Sequence, residues 1–296
     1  MVAKSVPPKT RALWLSGARP RTLPLAIAPV ILGVASAWWA GAFSWVLSAL
    51  ALVVALSVQV GVNYANDYAD GIRGTDDYRV GPARLTGSGT MKPRLVLRAA
   101  LLFFVLTAVA GLAIVVLTGQ WLLLAVGALA ILAAWFYTGG KKPYGYQGLG
   151  EIVVFIFFGP VAVVGTAFIQ VGSIPWETWL TGSASGLFAS AVLLVNNLRD
   201  IDQDQQAGKK TLAVALGRAS TRVVLTMMLL GPYVILAFLS SLFLLAPYVY
   251  FTLLLTIPII VIVWSSKTPK ELILALQLMT LTALIFAIGL GLAIAL

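Results

Sequence analysis

The sequence predicts an all-α membrane protein: nine transmembrane helices in one bundle, arranged as two parallel four-helix repeats plus one extra helix. Three observations predict it. The 296 residues are 60% hydrophobic and only 10% charged, against about 25% charged in ordinary soluble domains. Apolar runs of roughly 18 or more residues, enough to cross a bilayer, recur along the chain. All 20 lysines and arginines fall in the N-terminal segment or in every second loop, as expected when positive charge stays on the cytoplasmic side.

The elements follow in order. Residues 1–22 read as a basic cytoplasmic arm carrying Lys4, Lys9, Arg11, Arg19 and Arg21, and residues 23–296 as the transmembrane domain. Spans are expected at roughly 23–41 and 45–65, joined by a short outward loop near Gly41. Next comes an inward loop region with Arg73, Arg79, Arg84, Lys92, Arg94 and Arg98, then spans at roughly 97–117 and 121–138 about a turn at Gly119. Lys141 and Lys142 precede a span at roughly 151–171, followed by one at roughly 180–199. The basic stretch Arg199, Lys209, Lys210, Arg218 and Arg222 separates that pair from spans at roughly 222–242 and 246–264, which turn near Ala246. Lys267 and Lys270 lead into the last span at roughly 275–296. This pattern places the N-terminus and the long loops in the cytoplasm and the C-terminus outside; the expected location is the plasma (inner) membrane. No cleavable signal is expected, because the polar arm is too long for an n-region. No nucleic-acid partner is expected either.

Seven of the ten acidic residues fall in two clusters: Asp67, Asp70, Asp76 and Asp77, then Asp200, Asp202 and Asp204. Each follows an apolar run that ends in asparagines. If the second span stays helical through "GVNYANDYADG", then Asn63, Asn66, Asp67 and Asp70 share one face. Asp200 and Asp204 are likewise one turn apart, with Asn196 and Asn197 a turn earlier. An even number of spans separates the clusters, so both emerge on the same side. Cysteine and histidine are absent, so a metal must be held by oxygen, which points to Mg²⁺ or alternatively Mn²⁺. Mg²⁺ held by a few carboxylates usually shares its shell with substrate phosphates, which points to a diphosphate. A solvated acidic loop would explain one such cluster; two at matching positions favour a shared site. An EF-hand is excluded, since Gln205 and Thr211 stand where its loop needs glycine and glutamate.

These motifs have relatives. "NDYADG" and "RDIDQD…GKKTLAV" resemble the two Asp-rich motifs of the UbiA superfamily of intramembrane prenyltransferases. "RPRTLPLAIAPVILG", "NDYADGIRGTDD", "RVGPARLTGSG" and "KKPYGYQGLGE" are most similar to the members that prenylate 1,4-dihydroxy-2-naphthoate for menaquinone. The first motif, N-D-x-x-D-x-x-x-D, is met at Asn66, Asp67 and Asp70 but has Gly74 at its last position, with Asp76 and Asp77 just beyond. The second, D-x-x-x-D, is met at Asp200 and Asp204.

The resemblance implies a reaction. Mg²⁺ on Asn66, Asp67, Asp70, Asp200 and Asp204 would bind the diphosphate of a polyprenyl donor. Lys141, Lys142, Arg73 and Arg199 would add positive charge; Lys141, four residues after Tyr137, is the family's expected diphosphate lysine. Asp70, Asp200, Asp204 and Lys141 would be the catalytic set. Ionisation gives an allylic cation, the dihydroxynaphthoate ring attacks it, and CO₂ leaves from that carbon, so no strong base is needed. Asn63, Asn197, Tyr137, Arg19 and Arg21 are further substrate-binding candidates. Tyr64, Tyr68, Tyr137, Phe155 and Phe158 offer π faces for the cation or serve as packing. Glu151 reads as a helix-start carboxylate, and "GPARLTGSG" as either a cap over the cavity or a plain connection. The alternatives are another aromatic acceptor such as 4-hydroxybenzoate, or a cation-coupled transporter. The transporter would need ionisable residues at mid-membrane, where the sequence has almost none.

Overall fold

The computed structural model describes residues 10–74 and 84–296. Every regular element among them is helical. Asp76, Asp77 and Arg79 lie outside the described residues. The helices are α1 (Thr10–Ala18), α2 (Pro24–Trp39), α3 (Trp45–Arg73), α4 (Pro93–Thr118), α5 (Leu122–Phe136), α6 (Gly150–Ile156), α7 (Ala162–Val171), α8 (Glu177–Arg199), α9 (Ile201–Gln206), α10 (Leu212–Leu239), α11 (Leu253–Ser265) and α12 (Glu271–Ala295).

Seven helices are long and apolar enough to cross a membrane, or eight if the bent pair Ala12–Thr22 and Pro24–Trp39 forms one span; Leu122–Phe136 is a shorter apolar helix. The chain is a multi-pass membrane protein. Its boundaries follow local chemistry. Ser44 caps α3, its Oγ accepting the Leu47 N–H, while Gln170 from α7 accepts the Ser44 N–H at 2.9 Å. Gly74 ends α3 and Gly119 ends α4, each with a positive φ that favours glycine. Pro93 opens α4, where its missing N–H costs nothing.

Three elements depart from the spans expected above. α3 runs on to Arg73, so Asp67 and Asp70 stand in its last two turns rather than in a loop. The described part of the basic arm is helical: α1 lies against α3, with Trp14 edge-on to Tyr64 and the Tyr64 hydroxyl donating to the Trp14 carbonyl at 2.9 Å. The expected 151–171 span is divided into α6 and α7 by a π-helical turn at Phe157–Val161. Pro160 supplies no N–H there, and Gly159 takes a non-helical conformation.

α8 is the centre of the bundle. It has the lowest mean hydropathy of the seven long spans, 1.5, yet 72% of its most apolar 18 residues are buried, against 28–33% for five of the others. A helix that meets protein instead of lipid gains from close packing more than from greasiness. Gly186 and Gly182 let α8 approach the π-helical turn. A Cβ at Gly186 would lie 2.6 Å from the Phe155 carbonyl oxygen, and one at Gly182 would lie 3.0 Å from the Pro160 Cα. Overpacking of this kind costs about 1–3 kcal/mol. Gly186→Ala is therefore expected to lower the unfolding midpoint in detergent by several degrees. Gly111→Ala, whose Cβ meets nothing within 4 Å, should leave it unchanged; equal shifts would refute the close approach.

Candidate active site

A polar stripe on α3 builds one wall. Gln59 donates to the Thr22 carbonyl at 2.8 Å and Asn63 to the Ala18 carbonyl at 3.0 Å, so two polar side chains fix the segment between α1 and α2. That segment carries Arg19 in the left-handed region, at φ 54°, the one such non-glycine residue among those described. One turn further along α3, Asn66 Oδ1 accepts from the Thr138 hydroxyl at 2.5 Å. Arg73 donates to the carbonyls of Thr138 and Gly140, both at 2.5 Å. Together they tie the turn after α5 to α3.

Asp67 and Asp70 have different surroundings. Asp67 is fully buried, and its two oxygens accept the backbone N–H groups of Leu85 (3.0 Å) and Thr86 (2.9 Å). It anchors the glycine-rich loop at Leu85 and Thr86. Gly71, one turn later, leaves room for that loop, since a Cβ there would sit 2.4 Å from Thr86 Cγ2. The loop in turn sets the Arg84 guanidinium 3.9 Å from Asp70. Asp70 accepts a very short hydrogen bond from the Tyr146 hydroxyl and has the Lys209 ammonium 3.5 Å away. The same ammonium is 3.9 Å from Asp204. The two acidic segments, 134 positions apart by the difference of those two residue numbers, thus meet around one cation.

The remaining candidates are distributed around this junction. Asp200 forms a two-pronged ion pair with Arg199, at 2.7 and 2.5 Å. Asn197 turns to Glu151, donating to its Oε1 at 2.8 Å, and Glu151 is buried. Lys141 and Lys142 are exposed and stand outside the lining of the main cavity. Asp202 pairs with Arg218 on the surface. Spacing did not single out Tyr146, Lys209 or Arg84. All three sit inside motifs visible in the sequence, "KKPYGYQGLGE", "GKKT" and "GPARLTGSG", which were the available signal.

Tyr146 connects the halves. Its hydroxyl holds Asp70, its ring lies 4.5 Å below the Lys209 ammonium, and its carbonyl accepts the Lys210 N–H at 2.8 Å. Burial, and after it the negative charge of Asp70, raises its phenol above the usual tyrosine range. Burial alone pushes Tyr144 up to about 12. The unfolded phenols ionise near pH 10, so the unfolded state releases these protons first. Both contributions are complete below about pH 10 and are lost as pH rises through the folded values. The unfolding midpoint in detergent should stay level with respect to these groups from pH 7 to 9 and fall above about 10. In Tyr146→Phe that alkaline decline should be shallower; an unchanged slope would count against the buried hydroxyl.

Beside the junction opens a cavity of about 760 Å³. Its polar lining is Arg19, Arg21, Asn63, Asn66, Asp67, Arg84, Tyr137, Asn196 and Arg199. Its apolar lining includes Leu25, Pro29 and Val30 of α2, Val54 and Val58 of α3, Ile114 of α4 and Leu123 of α5. Phe157 and Phe158 also face it. Of the aromatic candidates, Tyr137 and Phe158 line the cavity. Tyr64 packs with Trp14 and Phe103, and Phe155 lies under Gly186.

Among the described residues, no three acids come close enough to hold a metal by themselves. The donors still suit a hard cation, because a positive charge already stands between the carboxylates of Asp70 and Asp204. Mg²⁺ also characteristically completes its shell with water and phosphate oxygen.

A largely apolar chamber inside a helical bundle, with guanidinium groups on its lining and paired carboxylates beside it, defines a class: an intramembrane enzyme for a substrate with a charged head and a greasy tail. The fold is shared with a solved UbiA homolog from Archaeoglobus fulgidus bound to GPP and Mg²⁺, which is 17% identical, with a TM-score of 0.70 over 95% of this chain and 99% of that one. The UbiA prenyltransferase family signature matches residues 26–281, and the chain belongs to that family. It is 55% identical over 213 residues to a 1,4-dihydroxy-2-naphthoate octaprenyltransferase of Mycobacterium tuberculosis strain H37Rv, covering 72% of this chain and 73% of that protein. The enzyme of the same description from Escherichia coli K12 is 42% identical over 230 residues, covering 76% and 75%.

Proposed function

We propose that this enzyme transfers a polyprenyl chain from its diphosphate to 1,4-dihydroxy-2-naphthoate with loss of CO₂, giving demethylmenaquinone. The observation that carries the reading is the meeting of Asp70 and Asp204 around one cation beside an apolar cavity. The descriptions of its relatives supply the acceptor. Asp70 and Asp204, with the Asn66 amide and Asp200 alongside, are the residues that would hold Mg²⁺. When bound, Mg²⁺ would supply Lewis-acid neutralisation of the diphosphate.

The chain's own residues do the rest. Arg84 and Arg199 on the cavity lining and Lys209 beside Asp70 supply positive charge, which stabilises diphosphate as the allylic C–O bond breaks and its electron pair leaves with oxygen. The tail lies along the α2 and α3 wall, where no water competes for the cation. Tyr137 and Phe158 turn ring surface toward the chamber. The acceptor carbon bearing the carboxylate forms the new C–C bond, and the C–CO₂ bond breaks to restore the aromatic ring. Arg19 and Arg21, both on the cavity lining, would receive that carboxylate before it leaves.

Nine spans complete the reading. α1 with the following turn and α2 form the bent first span, and α5 is the short fourth one. The long polar loops and the N-terminus face the cytoplasm of the plasma membrane and the C-terminus faces outward, since lysine and arginine accumulate on the loop side. The test is an acceptor panel: purified enzyme in detergent or membranes, labelled polyprenyl diphosphate, Mg²⁺, and each acceptor offered separately. Product is expected with 1,4-dihydroxy-2-naphthoate, and chelation should abolish it. Turnover with 4-hydroxybenzoate alone would overturn the acceptor assignment.

A further inference from the structure

Lys209 holds a position that the spacing of the acidic motifs does not explain. Its ammonium is 3.5 Å from Asp70 on α3 and 3.9 Å from Asp204 on α9, and 4.5 Å above the ring of Tyr146. Its side chain is 14% exposed. Its backbone is pinned as well, because the Lys209 N–H donates to the Asp204 carbonyl at 2.8 Å and the next N–H donates to Tyr146. Two carboxylates brought together in a setting of reduced dielectric repel each other, and a cation between them relieves that repulsion. A lysine suits such a role better than an arginine. Its charge is compact, its stem has four flexible carbons, and it releases one partner for another without breaking a planar fork.

We propose that Lys209 is a resident counter-cation: it occupies the Asp70–Asp204 pair before substrate arrives, and it swings onto the donor diphosphate when the divalent metal takes its place. This rests on the reading of Asp70 and Asp204 as metal-holding residues. The exchange balances charge at each stage. Without substrate, the carboxylates share the ammonium, while the Arg84 guanidinium also stands 3.9 Å from Asp70. With substrate, they face the metal, and the ammonium faces phosphate oxygens. The physical consequence is competition. Free metal must displace the ammonium and then tolerate its repulsion, so the enzyme binds metal weakly until diphosphate provides the lysine with a new partner.

The test uses Mn²⁺ alone, titrated into the detergent-solubilised full chain and followed by electron paramagnetic resonance. Lys209→Met should bind Mn²⁺ about tenfold more tightly than wild type, because a competing charge is gone. Lys209→Arg should keep the weak wild-type affinity. A lysine that merely braces the fold predicts the reverse, so equal or weaker Mn²⁺ binding by Lys209→Met overturns the proposal. A second measurement needs no variant. In wild type, reductive methylation of Lys209, read by peptide mass spectrometry, should rise severalfold when Mn²⁺ saturates the site; unchanged labelling overturns the proposal. Asp70→Asn separates the two readings. If it abolishes Mn²⁺ binding while Lys209→Met fails to tighten it, the metal site stands and the counter-cation falls. If Asp70→Asn binds Mn²⁺ like wild type, the metal site falls and the proposal with it.

Discussion

Asp70→Asn is expected to reduce prenyl transfer at least about a thousandfold, while the protein still inserts and folds. The substitution keeps the shape of the side chain and leaves an oxygen for the Tyr146 hydroxyl. It removes the negative charge that faces Arg84 at 3.9 Å and Lys209 at 3.5 Å. The α3 carboxylate that faces Arg84 and Lys209 is then gone, and Asp204, Asp200 and the Asn66 amide must hold a divalent ion without it. Such a loss strikes the transition state, where charge on the departing diphosphate is greatest, so kcat should fall more than KM rises. The measurements are turnover with labelled donor, metal binding and the unfolding midpoint on one preparation. Activity within about tenfold of wild type would remove Asp70 from the site.

Asp67→Ala should act differently, although Asp67 belongs to the same motif. The two backbone N–H groups that it receives are buried, and each stranded donor costs about 1–3 kcal/mol. The glycine-rich loop should therefore detach from α3, and Arg84 should no longer be held beside Asp70. The expected outcome is a drop in turnover of about tenfold or more, together with a lower unfolding midpoint. Amide exchange should become much faster at Leu85 and Thr86. Mn²⁺ affinity should change little. Asp67→Asn keeps one acceptor oxygen and should recover part of the loss. If Asp67→Ala instead abolishes metal binding as Asp70→Asn is expected to, with loop exchange unchanged, the carboxylate is a ligand and the anchoring role is wrong.

These expectations show where the sequence was readable. Spacing placed Asn63, Asn66, Asp67 and Asp70 on one face, and α3 is helical through all four. Spacing could not divide them, because helical periodicity reports a face and not what packs against it. Asp67 meets the backbone of Leu85 and Thr86, 18 and 19 residues further along the chain. Asp70 meets Tyr146 and Lys209, from two other connections. The basic residues have the same ambiguity. Lys141 and Lys209 are equivalent in composition, yet one is exposed and the other stands between two carboxylates. Arg73 was a natural partner for phosphate by charge, and the fold directs its guanidinium to the carbonyls of Thr138 and Gly140. α8 is a further case. Its apolar run marks it as a span, and only docking shows that Gly182 and Gly186 meet the segment around the π-helical turn.

What the chain settled by itself was its solvent and its inventory. Long apolar runs, cations confined to alternate loops, and the lack of histidine and cysteine compel a membrane bundle whose only hard ligands are oxygens. These are local or compositional properties that hold in any packing of the helices. Which oxygen faces which cation was decided by the tertiary structure alone. Hydrogen bonds and ion pairs no longer than 3.9 Å join residues from α3, α9 and three separate loops, and such contacts exist only after the helices have docked.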